Sequence, residues 1–336
     1  MEPRVILKQD IAAWLKGLAD EYEVIAPVTE DGVTRFRSVS DPSLIDLGPT
    51  PSKSGLRECF TPETETLFEY KLEGLGAEVT APESIKKNRL IFGARACDAA
   101  ALKYVDAVYS NVEPVDVPYF DRREHTFIVG VFCDKPSWAC FCTEVGDFLA
   151  NPINTDAFLY DLGDKYYAEA LTPEGEALLG SSHFTAATDA DRQAIETLRQ
   201  SVLSKLPAAV DHAAASQSYD WDDAMWTRLA EKCIGCGACT FLCPTCHCFD
   251  IMECAQGRKG TRFRCWDNCQ FDKFTLMGHG HNPRPSRRER TRQRVFHKFK
   301  YSPERYGILG CVGCGRCIST CPVNIDIRQV ITEIEA

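Results

Sequence analysis

No stretch of this sequence approaches the ~20 consecutive apolar residues that a membrane-spanning helix needs. Its opening, MEPRVILKQDIAAWLKGLADEY, lacks both the apolar core and the small-residue cleavage site of a secretory signal. There is no G-x-G-x-x-G fingerprint and no Walker loop, so the chain carries no ready-made nucleotide cradle. Its seven histidines form no evident proton-transfer or nucleophile constellation. These absences argue against a membrane protein, a secreted protein and a nucleotide-binding enzyme. At 44% apolar and 26% charged, the composition is ordinary for a chain of 336 residues, long enough for two or three domains. Cysteine is the exception, at 18 residues. Disulfide frameworks belong mainly to short secreted chains. The expectation is therefore a cytoplasmic protein whose thiols ligate metal.

Charge is unevenly spread. The net charge is −10, yet RPSRRERTRQRVFHKFK (Arg284–Lys300) holds eight Lys/Arg and one Glu. Such a run reads as a solvated helix face, or as a surface for an acidic partner or nucleic acid.

Hydrophobic periodicity predicts an amphipathic helix over Lys8–Glu23, with Ile11, Trp14, Leu15 and Leu18 on one face. EVIAPV and TRFRSV then read as strands around TEDG. RLIFGAR (Arg89–Arg95), CDAAALKYVDAVYS and TFIVGVFC (Thr126–Cys133) read as strand, helix and strand, the order of a crossover between parallel neighbours. AFLYDL and KYYAEAL suggest a hairpin, and TDADRQAIETLRQSVLSKL a capped helix. The expected fold class is α+β: an N-terminal α/β domain with a mixed sheet over 1–215, then a C-terminal domain over 216–336.

That second domain is defined by a repeated phrase. Cys233, Cys236, Cys239 and Cys243-Pro244 form C-x2-C-x2-C-x3-C-P, and Cys311, Cys314, Cys317 and Cys321-Pro322 form it again. This is the bacterial-type two-cluster ferredoxin pattern, in which the fourth cysteine of each run ligates the other cluster. Cys233, Cys236, Cys239 and Cys321 are thus expected to hold one 4Fe-4S cluster, and Cys311, Cys314, Cys317 and Cys243 the second. Gly235, Gly237, Gly313 and Gly315 allow positive φ in the loops. Zinc sites favour separated pairs over an evenly spaced triple with a trailing Cys-Pro. Cys243 and Cys311 lie 68 positions apart, so a long insertion, at about 245–308, is pinned to the clusters at both ends.

A second cysteine group is drawn from distant pieces. Cys97 follows one predicted strand and Cys133 ends the next, which puts both at the carboxyl edge of the sheet, where open α/β folds bind ligands. Cys140 and Cys142 lie just beyond. The four are candidates for a third iron–sulfur cluster; the alternative is two buried structural thiols beside a redox-inert C-x-C loop. In the insertion, Cys246, Cys248 and Cys269 form a weaker set that Cys265 or Cys254 could complete, with packing thiols as the other reading. His247, His279, His281 and His297 cluster there, and a structural or surface role outweighs metal ligation.

GARACDAAAL, CDKPSWACFCTEVG, KCIGCGACTFLCPTCHCFDI, RCWDNCQFDKF, HGHNPRPSRRERTRQRVFHKFKY and ERYGILGCVGCGRCISTCPVNIDI occur in this order. Together they resemble the iron–sulfur (beta) subunit of cytosolic sulfhydrogenases, which are hydrogenase/sulfur reductases. The family includes one of the subunits of anaerobic sulfite reductase, and also subunits found with flavin oxidoreductase–heterodisulfide reductase complexes. The match runs from Arg89 to Ile327; the first eighty residues and Asn151–Asp220 follow it in outline. The resemblance implies a non-catalytic electron-transfer subunit for anaerobic metabolism. Its partners would be a flavin/NAD(P)-binding subunit and a hydrogenase, sulfite reductase or heterodisulfide reductase module, with Arg284–Lys300 as partner contact or as a cluster cover whose cations raise a nearby potential. Two other readings compete: a self-contained sulfur-compound reductase, and an iron–sulfur nucleic-acid binder using the basic run. In that run only Phe296 and Phe299 could stack on bases, and the rest of the chain is acidic, so no nucleic-acid partner is expected.

Overall fold

The computed structural model describes residues 2–48, 51–111 and 113–335. Twelve strands occur among them: β1 Arg4–Leu7, β2 Tyr22–Glu30, β3 Val33–Ser38, β4 Thr64–Glu73, β5 Gly76–Thr80, β6 Asn88–Ala94, β7 Thr126–Val131, β8 Ala157–Asp161, β9 Lys165–Ala170, β10 Thr185–Ala186, β11 Phe249–Gln256 and β12 Lys259–Trp266. Eight form one sheet in the order β10-β1-β9-β8-β7-β6-β2-β3. The central strands β2, β6, β7 and β8 are parallel, and the flanking pairs are antiparallel. The sheet is mixed, as expected.

Period-two alternation assigns the core residues to two faces. Val24, Ala26, Leu90, Phe92, Val129 and Val131 join Trp14 and Leu15 of the helix Ile11–Leu18 on one face. Ile25, Ile91 and Ile128 meet Tyr104 and Val105 of the helix Ala96–Ser110 on the other. Complete burial of one such side chain stabilises the fold by roughly 1.5–3 kcal/mol. The expected N-terminal helix is shorter than its periodicity suggests. It stops at Leu18, and Tyr22–Glu30 is strand, because Val24, Ile25 and Ala26 are buried on both faces of the sheet.

The remaining strands make a four-stranded sheet in the order β11-β12-β4-β5. Its two hairpins come from opposite sides of residue 215: β12 pairs antiparallel with β4, from Lys259 against Lys71 to Cys265 against Thr64. The buried side of this seam carries charge. Arg264 bonds Glu65 at 2.5 Å and pairs with Asp116 as well. Among the described residues no helix is long and apolar enough to cross a membrane.

Candidate metal centre

The two cysteine runs fold alike. Gly237 and Gly315, at φ 75° and 72°, lead into the one-turn helices Ala238–Phe241 and Arg316–Ser319. The amide of Gly235 points at Cys233 Sγ at 3.4 Å, and that of Gly313 at Cys311 Sγ at the same distance. Each helix then brings its Cys-Pro back: the Cys243 amide bonds the Thr240 carbonyl at 3.3 Å, and the Cys321 amide bonds that of Ile318 at 3.2 Å. Amides aimed at sulfur, with side chains held off by left-handed glycines, form a cradle suited to an anionic thiolate cluster.

The geometry crosses the two runs. Cys233, Cys236 and Cys239 line one cavity of about 60 Å3, and Cys317 and Cys321 of the second run line it with them. Cys243 of the first run lies within electrostatic reach of Cys311 and Cys314. Burial pushes the Cys311 and Cys314 thiols up to about 12, so without metal they stay protonated. An all-sulfur donor set, glycine loops and inward amides fit two 4Fe-4S groups.

Cys97, Cys133, Cys140 and Cys142 also come together. Cys97 lies in the first turn of Ala96–Ser110, which follows β6, and Cys133 lies two residues past β7. Cys97, Cys133 and Cys142 pack in one buried cluster with Cys314, and Cys140 Sγ lies 3.8 Å from the Cys314 carbonyl. The backbone of 139–142 lies directly on the second run. A Cβ on Gly313 would come 2.5 Å from the Phe141 carbonyl carbon, and one on Gly315 would collide with the Ala139 carbonyl in the same way. Burial pushes the Cys133 and Cys142 thiols up to about 12 and raises Cys97 as well.

The basic run is not a solvated face. It forms the helix Arg287–Phe296, capped by Ser286 and Glu289, and continues into a π-helical turn, His297–Tyr301. That turn aims Lys298 inward, its Nζ 3.2 Å from Cys243 Sγ, 2.9 Å from Thr245 Oγ1 and 2.7 Å from the Gly310 carbonyl. Burial opposes the Lys298 charge, but Cys243 and Cys246 outweigh it and hold its pKa well above the usual value. Arg294 donates to the Cys239 carbonyl at 3.2 Å. Sequence reasoning also missed the clamp between the two halves. Arg316 is buried in the second run and bonds Asp98 at 2.7 and 3.1 Å, with Asp98 fully buried beside Cys97. The signal available was Arg316 inside a Cys-Gly-Arg-Cys loop that is otherwise small and apolar.

Cys246, Cys248 and Cys269 line a second cavity of about 350 Å3. The two cysteines considered as its completion lie elsewhere: Cys254 is exposed on β11, and Cys265 on β12 touches Met252 Sδ at 3.6 Å. His247 and His297 line the cavity and meet edge to face with ring centroids 5.5 Å apart. Burial lowers them to about 4 and about 3, so both imidazoles are neutral. Cys59 is an ordinary core thiol, pushed up to about 12 by burial.

Residues 232–325 match a 4Fe-4S dicluster domain. The dicluster match and the cysteine inventory support iron–sulfur clusters in this chain. No solved structure matches. The chain is 29% identical over 323 residues to the sulfhydrogenase 2 subunit beta of Pyrococcus furiosus, covering 94% of this chain and 93% of that protein. The resemblance carried by the cysteine motifs therefore extends over nearly the whole length: the chain is similar to a sulfhydrogenase beta subunit, and its 232–325 segment is a 4Fe-4S dicluster domain.

Proposed function

We propose that this chain is an iron–sulfur electron-relay subunit of a cytoplasmic multi-subunit oxidoreductase. It exchanges electrons with a flavin/NAD(P)-binding subunit on one side and a hydrogenase, sulfite reductase or heterodisulfide reductase module on the other. When bound, each 4Fe-4S cluster supplies reversible one-electron storage at a potential set by its surroundings. In this reading Cys233, Cys236, Cys239 and Cys321 hold the first cluster, and Cys311, Cys314, Cys317 and Cys243 the second. Cys97, Cys133, Cys140 and Cys142 hold a third. The chain divides near residue 215 into an α/β domain that supplies the third set and a ferredoxin domain that supplies the other two.

The observation that carries the reading is the contiguity of the three sulfur sets. Cys317 lies in the wall of the first-run cavity, Cys314 shares one buried cluster with Cys97, Cys133 and Cys142, and Cys140 Sγ lies 3.8 Å from the Cys314 carbonyl. The second set thus neighbours both of the others. The chain's own groups set the electrostatics: Lys298 and Arg294 favour added negative charge on the sulfur sets near them, and Arg316 does so between the second and third. Arginines in the former basic run make backbone contacts inside the protein, which leaves few of them for a nucleic acid.

Anaerobic affinity isolation tests the proposal. A flavoprotein and a hydrogenase or reductase subunit should co-purify, and C97S/C133S should lower the iron on this chain by about four. Recovery of the chain without a flavoprotein overturns the subunit reading, and unchanged iron in C97S/C133S removes the third cluster.

A further inference from the structure

We propose that Cys246, Cys248 and Cys269 hold one more iron–sulfur cluster, in the cavity between the C-P-T-C-H-C loop and the helix Arg287–Phe296. This goes beyond the three sulfur sets of the relay, and it stands or falls separately from them.

The three thiols come from two stretches separated by the whole β11–β12 hairpin, yet they line one cavity of about 350 Å3. The chain tethers both sides. The Cys246 amide bonds the Cys243 carbonyl at 3.2 Å, and the Asp267 amide bonds the Cys248 carbonyl at 3.1 Å. Arg57 donates to the Cys248 carbonyl at 3.3 Å. Gln270 spans Cys269 Sγ, at 3.6 Å, and the Arg290 carbonyl, at 3.0 Å.

Charge specifies the occupant. Arg284, Arg294 and Lys298 line the same cavity, and no carboxylate among the described residues lines it with them. Among the described residues neither Arg294 nor Lys298 is salt-bridged to Asp or Glu. Lys298 also faces Cys243, and Arg294 the Cys239 carbonyl, but a wall with three cations and no carboxylate still favours an anionic occupant, and a thiolate-ligated cluster is one. A single zinc ion fits less well: among the described residues no three metal-donor side chains gather around one point. A cluster bridges wider-set sulfurs.

Position favours a redox group as well. Cys246 follows three residues after Cys243, which faces Cys311 and Cys314, so this cavity abuts the second sulfur set. A C-x-C pair therefore lies on each side of that set, Cys140/Cys142 against its glycines and Cys246/Cys248 beside Cys243. Three cysteines leave one iron of a cubane without a thiolate. His247 and His297, the cavity's two imidazoles, are the nitrogen donors beside it.

The test counts iron and acid-labile sulfide on the anaerobically purified full chain. C269S and the triple variant C246S/C248S/C269S should each lose about four irons, while C254S/C265S on the hairpin loses none. A parallel C97S/C133S variant reads the N-terminal set by itself. If the C269S variants do not fold, the wild-type count less the iron lost in C97S/C133S decides the question: about twelve supports the proposal and about eight overturns it. Mild oxidation of wild-type protein should also give the electron paramagnetic resonance signal of a three-iron cluster, from loss of the iron lacking a thiolate, and C269S should abolish it. Unchanged iron in the triple variant overturns the proposal. So does stoichiometric zinc lost with these cysteines, or a Cys248–Cys269 disulfide in protein alkylated without air.

Discussion

The two cysteine runs are nearly the same words in opposite surroundings. In the first, Ile234 is 58% exposed, Cys236 is exposed, and the nearest atom to a Cβ on Gly235 is a carbonyl at 3.9 Å. In the second, the equivalent Val312 and Cys314 are 5% and 8% exposed, and Gly313 has the Phe141 backbone against it. Ala238 of the first helix is replaced by Arg316, locked to Asp98. In the proposed relay one run is an outlet at the surface and the other an internal junction. The cysteine spacing is identical, and the residues between the cysteines decide which run is exposed.

The comparison is sharpest where charge is involved. Asp98→Ala leaves Arg316 buried without its partner and should cost about 3–5 kcal/mol, read as a lower midpoint in anaerobic guanidinium unfolding. Val312→Asp buries a new charge and belongs to the same range, whereas Ile234→Asp at the matching position should change stability by no more than about 0.5 kcal/mol. Equal losses from the two Asp substitutions would erase the distinction between junction and outlet.

Backbone substitutions probe the same contrast more gently. Gly235→Ala should cost about 1–2 kcal/mol, the strain of a side chain at positive φ. Gly313→Ala should add about 1–3 kcal/mol to that, because the 139–142 backbone must also move. The mutant pair can be compared by the rate at which cluster absorbance is lost on heating without air. Smallest in stability but direct in function, Ile234→Asp should slow reduction of the chain by the proposed flavoprotein partner while leaving its iron content unchanged. An unaltered rate would mean that the electrons use another face.

The dicluster domain was readable beforehand, because a loop with a cysteine at every third residue and a trailing Cys-Pro is written twice. The crossed assignment of Cys243 and Cys321 rests on that spacing and belongs to the proposal. The β6–helix–β7 unit and the hairpin of β8 and β9 were legible because their apolar residues alternate at strand and helix periods. The β11–β12 hairpin was not. Every residue of β11 is exposed, so it carries no burial pattern, and the strand that completes its sheet, β4, is far away in sequence. The basic run gave the sign of its charge and a place beside the cysteine runs, but not which of its side chains turn inward, because Lys298 faces Cys243 only through the π-helical turn. Arg316 and Asp98 were opaque as well, being a pair whose members are ordinary alone.

The sheet shared by β4 and β12 imposes an order of assembly. During synthesis β4 emerges early, with a free edge that stays unmatched until β12 has been made. The first cysteine run is made before the helix Arg287–Phe296 that packs beside it and, in the proposed crossing, before Cys321. Metal placed on Cys233, Cys236 and Cys239 at that stage would be held by three sulfurs instead of four, so complete loading waits for the second run.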